Sequence, residues 1–185
     1  MKGSRPGWVV ALILVAAVFQ LRQQGRVWWC ACGQGNLWAG DIWSAHNSQH
    51  VVDPYSFTHI LHGVLFFWIL AALFKRMSFS WQLALTILLE AAWEVAENAP
   101  FIIQRYREAT IGLGYEGDSV INSLADILCC VAGFLLARRL GFRFALALFV
   151  AIEVLLVVLV RDNLTLNVLM LLCPIDAIKQ WQMVH

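Results

Sequence analysis

Five apolar stretches, at residues 7–21, 58–74, 81–98, 120–137 and 142–160, constrain this chain more than any other feature of its sequence. A helix needs about 20 apolar residues to cross the ~30 Å hydrocarbon core of a bilayer, and these stretches come close to that length one after another. Of the 185 residues, 61% are hydrophobic and 14% charged, too apolar a balance for a soluble globule. The expected fold is therefore all-α: a single integral membrane domain, a bundle of about five transmembrane helices. A formal net charge of +1 gives no electrostatic footprint for nucleic acid. The first stretch follows Lys2 and Arg5 and superficially resembles a signal peptide, but no small-residue cleavage site follows it, so it reads as a retained anchor.

Orientation follows from the basic residues, which favour the cytoplasmic side in short loops. Lys2 and Arg5, Lys75 and Arg76, and Arg138, Arg139 and Arg143 fall in alternate connections that contain no Asp or Glu. The N-terminus is thus expected in the cytoplasm, with the long connections 22–57 and 99–119 and the tail 161–185 facing outward. The tail has only about ten apolar residues before Pro174, too few to cross, and predicts a short interfacial or re-entrant helix.

Against this apolar background the stretch LLEAAWEVAENAP carries Glu90, Glu94 and Glu97 on one helix face, at spacings of four and three. At about 1.5 Å rise per residue, Glu94 and Glu90 lie about 4.5 and 10.5 Å deeper than Glu97. His59 and His62 in THILHG, and Asp118, Asn122 and Asp126 in GDSVINSLADI, descend from the same side. Three helices are thus expected to bring polar faces to one half of the membrane. Ionisable groups there face the bundle interior, pair with one another and mark function. Interhelical packing is the competing explanation for each of them, and for Glu153 in particular.

Glu94, Glu90, Asp126 and Asn122 are the candidate catalytic residues. His59, His62, His46, His50, Glu94 and Asp126 are candidate ligands for a divalent metal, because imidazoles with carboxylates suit zinc, iron or manganese. A short helix over 44–50 would point His46 and His50 the same way and roof the cavity. Arg105 and Arg107 in FIIQRYREAT are candidate clamps for an anionic or phosphate-bearing lipid. Cys30 and Cys32 are too close for an unstrained bridge to each other, and Cys129 and Cys130 read as small apolar residues.

The blocks SAHNSQH, DPYSFTHILHG, LEAAWEVAENAPF, GYEGDSVINSLADI and RDNLTLNVLMLL, spread from about residue 37 to 182, resemble those of a family of small multi-pass inner-membrane proteins of Gram-negative bacteria that is classed as a domain of unknown function. That resemblance implies a bacterial inner membrane and no established activity. His62, Glu94, Asn122 and Asp126 also fill positions similar to a loose pattern in VanZ-like membrane proteins. Two functions from different classes follow. One is metal-assisted hydrolysis or transfer on an envelope lipid or lipid-linked phosphate. The other is a non-enzymatic membrane subunit or assembly factor, whose buried acids fix packing against a protein partner or a second copy of itself.

Overall fold

Uninterrupted apolar sequence with good helix formers leaves the backbone one way to satisfy its own hydrogen bonds, and every apolar stretch is helical. The structure, a computed structural model, describes residues 6–184, so Lys2 and Arg5 lie outside the described residues. Among these residues there are seven helices and no strand beyond an isolated bridge between Trp38 and Val52. The helices are α1 (Gly7–Gln23), α2 (Ser56–Leu73), α3 (Phe79–Glu97), α4 (Pro100–Ala109), α5 (Val120–Val160), α6 (Leu164–Leu172) and α7 (Asp176–Met183). Two of them, α2 and α5, are long and apolar enough to cross a membrane.

Starts and stops follow local chemistry. Asp53 accepts from the backbone N–H of Tyr55 (2.7 Å) and Ser56 (3.2 Å), capping α2, while Pro54 presets the first turn. Pro100 opens α4, and Ser119 caps α5 by accepting from the Asn122 amide at 3.2 Å. Within α5, Gly141 adopts φ 71° and ψ 170°, a conformation open essentially to glycine alone. There the helix breaks into two arms, 120–140 and 142–160. The second arm turns back, so that Ile152 and Leu156 reach Leu61 on α2.

Contacts set the directions of the bundle. On α2, His59 lies near Asp126 and Val64 near Ala137, so α2 and the first arm of α5 run parallel. His59 and His62 meet Glu94 and Glu90, so α3 runs antiparallel to α2. Ala17 packs against Ile87 and Ala91, and Gln24 donates to the Val95 carbonyl at 3.0 Å, laying α1 alongside α3 in the same direction. The centre of the bundle is drawn tight by two glycines. A Cβ on Gly63 would lie 1.9 Å from the Cys130 carbonyl oxygen, and one on Gly133 would lie 1.9 Å from that of Ile60. Cys130, expected as a small apolar filler, is thus part of a backbone-to-backbone contact.

Three regions show more than their sequence predicted. The connection 99–119 contains α4, whose Tyr106, buried in the structure, donates to Asn167 of α6 at 3.2 Å. The tail forms two helices, because Pro174 interrupts it after Cys173. Residues 44–50 form successive turns, with Ser48 at φ 60°, so His46 and His50 do not share a helix face. Their rings nevertheless come to 5.5 Å.

Candidate active site

Polar and charged side chains are buried at the centre of the bundle while many large apolar ones are exposed. Glu90, Glu94, Asn98 and Ser123 are fully buried, whereas Phe144, Val158 and Leu159 are each more than two-thirds exposed. Burying a charge requires partners, and the central one is His59. Its Nδ1 lies 2.5 Å from Glu90 Oε1 and 3.3 Å from Glu94 Oε1, and its Nε2 lies 3.8 Å from Asp126 Oδ2. One turn along α2, His62 donates from Nδ1 to the same Glu90, at 3.0 and 3.2 Å from its two oxygens. The i, i+3 spacing of His59 and His62 on α2 is what lets the one carboxylate of Glu90 serve two imidazoles. Glu90 thereby fixes Nδ1 of both rings as the protonated nitrogen and leaves Nε2 as the basic one.

Glu94 is bound differently. Neither of its oxygens accepts a hydrogen bond among the described residues, and the same holds for Asp126 Oδ1. Two carboxylates with open lone pairs therefore flank one imidazole.

A cavity of about 1110 Å³ reaches this cluster from the irregular segment 24–55 and the turn after α4. His59, His62, Glu97 and Asp126 are in its wall, and Glu90 and Glu94 stand behind the imidazoles. Its wall also carries Asp53, Asp118, Tyr55, Tyr106 and Tyr115, of which the sequence had set only Asp118 among the polar residues on this side. Asp118 is held by a reciprocal clamp: its amide donates to Asn98 Oδ1 at 2.7 Å, and Asn98 Nδ2 donates to its Oδ2 at 2.8 Å. Burial lifts the Asp118 carboxyl to about 6, against the lowering effect of Asn98 and Tyr115. Burial and the neighbouring Asp118 carboxylate both push the Tyr115 phenol up.

The remaining candidates lie elsewhere. Asn122 turns away from the imidazoles, donating to the Val51 carbonyl at 3.4 Å and to Asp53 at 3.5 Å, so only part of the VanZ-like set converges. Arg105 and Arg107 donate through Nε to the carbonyls of Leu171 (2.8 Å) and Tyr115 (2.6 Å), and neither is in the cavity wall. Glu153 accepts from the Leu164 and Thr165 amides at 3.0 and 3.2 Å, which caps the start of α6. His46 and His50 separate from His59 and His62 and join Cys30 and Cys32 in the segment above. Among the described residues, three groups place ligand atoms within 4.8 Å of one another: Cys30 with Cys32, His46 and His50; His59 with His62 and Glu90; and His59 with Glu94 and Glu97.

Comparison with known proteins is consistent in naming and silent on activity. A UPF0314 protein of Sphingopyxis alaskensis is 48% identical over 97% of this chain and 96% of its own length. Another, of Paracoccus denitrificans, is 46% identical over 97% of this chain and 93% of its own length. A third, of Brucella anthropi, is 40% identical over 98% and 94%. No solved structure matches. The family described as a protein of unknown function (DUF2585) matches residues 21–184, and the chain belongs to that family, the UPF0314 proteins of Gram-negative proteobacteria.

Proposed function

We propose that this chain is a multi-pass protein of the bacterial inner membrane, with its N-terminus in the cytoplasm and its C-terminus outward. In this reading α1, α2, α3 and the two arms of α5 are the crossings. The many exposed large apolar side chains and the buried carboxylates support it, since a soluble protein rarely shows either to this extent. The alternation of basic and acidic connections supports the orientation.

We further infer that the cavity is an outward-opening site for hydrolysis or group transfer on an envelope lipid or lipid-linked phosphate. The observation that carries this is Glu94, a fully buried carboxylate whose oxygens accept no hydrogen bond, 3.3 Å from His59. A packing residue in that position would be bonded across the interface, as Glu90 is. A phosphate entering the cavity alone would meet Asp53, Glu97, Asp118 and Asp126, so it enters with a divalent cation. His59, Glu94 and Glu97 supply the mixed imidazole and carboxylate set such a cation takes. The cation would polarise a phosphoryl oxygen and acidify a bound water. His62, held by Glu90 at Nδ1, faces the cavity as the proton acceptor, and Asp126, 3.8 Å from His59 Nε2, stands beside the cation as a further carboxylate.

The test is Glu94→Gln, which keeps shape and hydrogen-bonding capacity and removes the charge. Thermal stability in detergent should be nearly unchanged, because the amide keeps the shape and can still bond across the helix interface. The phenotype that the intact gene restores to a deletion strain should be lost. The alternative, a non-enzymatic subunit whose acids lock the helices, draws on the bonds of Glu90 to His59 and His62. It would be preferred if Glu94→Gln complemented fully or unfolded the protein.

A further inference from the structure

Residues 24–55 run between α1 and α2 without a helix or strand, apart from one residue of the isolated bridge at Trp38 and another at Val52. Unstructured connections of this length inside a compact domain are uncommon, and clips that close long loops gain the most in stability. This segment is folded all the same, and its two halves meet at residues 37–39 against Val52 and again at Cys30. The Cys30 amide donates to the Gln49 carbonyl at 3.1 Å, bringing the CAC turn against the turns that carry His46 and His50. Cys30 Sγ lies 3.4 Å from His46 Nδ1, and Cys32 Sγ lies 3.8 Å from His50 Nε2.

Those separations have a chemical meaning. Zn–S bonds of about 2.3 Å and Zn–N bonds of about 2.05 Å at tetrahedral angles put sulfur and nitrogen ligands about 3.6 Å apart. The two measured edges bracket that value, and all four ligand atoms fall within 4.8 Å of one another. The surroundings prepare the atoms for a cation. His50 Nδ1 donates to the Asn36 carbonyl at 2.6 Å, which leaves its Nε2 lone pair facing Cys32, as the outer partner of a metal-bound histidine does. The Cys32 amide donates to Cys30 Sγ and the Gln34 amide to Cys32 Sγ, both at 3.4 Å, so that each sulfur is held in place by a backbone N–H. Both thiols are free.

We propose that Cys30, Cys32, His46 and His50 hold one zinc-class divalent cation, which pins residues 24–55 as a wall of the cavity. Two thiolates and two imidazoles in tetrahedral array select a borderline-soft metal over magnesium or calcium. Four protein ligands leave no open position, so the ion is structural. It is separate from the cation invoked at His59, and it stands or falls without that reading.

The test uses the full chain, purified in detergent under reducing conditions, equilibrated with zinc and desalted. Elemental analysis should find one zinc per chain, beyond any held at His59, that is lost in Cys32→Ser and kept in Glu94→Gln. His50→Gln should weaken binding by more than the ~10–100-fold typical of losing an outer-shell partner, since it removes a ligand. Independently of any variant, cobalt(II) in the unaltered chain should show thiolate charge-transfer absorption and the intense visible bands of a tetrahedral centre. The proposal is overturned if cobalt gives neither, if a Cys30–Cys32 disulfide is the only state recovered after reduction, or if zinc leaves with His59→Gln and stays in Cys32→Ser.

Discussion

Replacing Gly63 with alanine should push α2 away from the first arm of α5. The added Cβ would sit 1.9 Å from the Cys130 carbonyl oxygen and 2.6 Å from the Phe134 nitrogen, and both are backbone atoms that cannot rotate aside. Carbon-to-oxygen contacts across packed helices settle at about 3.3–3.6 Å, so the two backbones must part by about 1.4 Å or more. Overpacking of this kind typically costs about 1–3 kcal/mol, and the rigid neighbour places this site at the upper end. Alanine returns up to about 1 kcal/mol in helix propensity, which leaves a net loss of about 2 kcal/mol. For a chain of this size that is about 4–8 °C in Tm, read by thermal unfolding in detergent. Function should fall further than stability, because one turn away His59 Nε2 lies 3.8 Å from Asp126 across the same interface, and that gap would open as well. Gly133→Ala should do the same from the other side, where its Cβ meets the Ile60 carbonyl, and the double variant should cost less than the sum because one separation relieves both clashes. Gly114→Ala is the control: nothing lies within 4 Å of its Cβ position, and the expected change is within about 0.5 kcal/mol. A Tm for Gly63→Ala indistinguishable from that of Gly114→Ala would refute the close approach of α2 and α5.

Two further outcomes follow from the rim of the cavity. Asn98→Ala removes both bonds to Asp118 and leaves that buried carboxyl with Tyr115 as its side-chain partner, so stability should fall by about 2–3 kcal/mol, and a loss below about 0.5 kcal/mol in detergent melts would contradict the clamp. Asp118 and Asp162 are both raised to about 6 by burial, above the value near 4 of an unfolded chain. Their folded forms hold the proton more tightly, so the stability they contribute is complete below about pH 4 and lost as pH rises through about 6, on the order of 3 kcal/mol for each. Melting curves between pH 4 and pH 7 should therefore show a decline in Tm that Asp162→Asn reduces; a Tm rising across that window in the parent and in Asp162→Asn alike would show the assignment to be mistaken.

Sequence alone was enough for the all-helical architecture and for the shared faces of Glu90 with Glu94 and of His59 with His62, because both depend on local period; it counted Asn122 with that cluster, whereas the structure turns Asn122 toward Val51 and makes His59 the buried centre. An apolar run dictates a helix wherever it occurs, and residues three and four apart share a face whatever lies opposite. Gly141 and the glycines at 63 and 133 were visible as residues, but a reversal and a backbone contact are properties of how helices cross, and no local pattern encodes the crossing. The same limit hid the destinations of the arginines. A guanidinium on an outward connection suits an anion or a backbone carbonyl equally well, and only the docking of α4 on α6 gave Arg105 the carbonyl of Leu171. It also hid the pairing of Cys30 and Cys32 with His46 and His50. Those four residues lie in a segment without periodicity, separated by a stretch of turns whose path is set by hydrogen bonds such as that from Cys30 to Gln49 and by the walls of the cavity. Where the chain has a period, its neighbours in space can be read from spacing; where it has none, tertiary contacts alone decide which side chains meet.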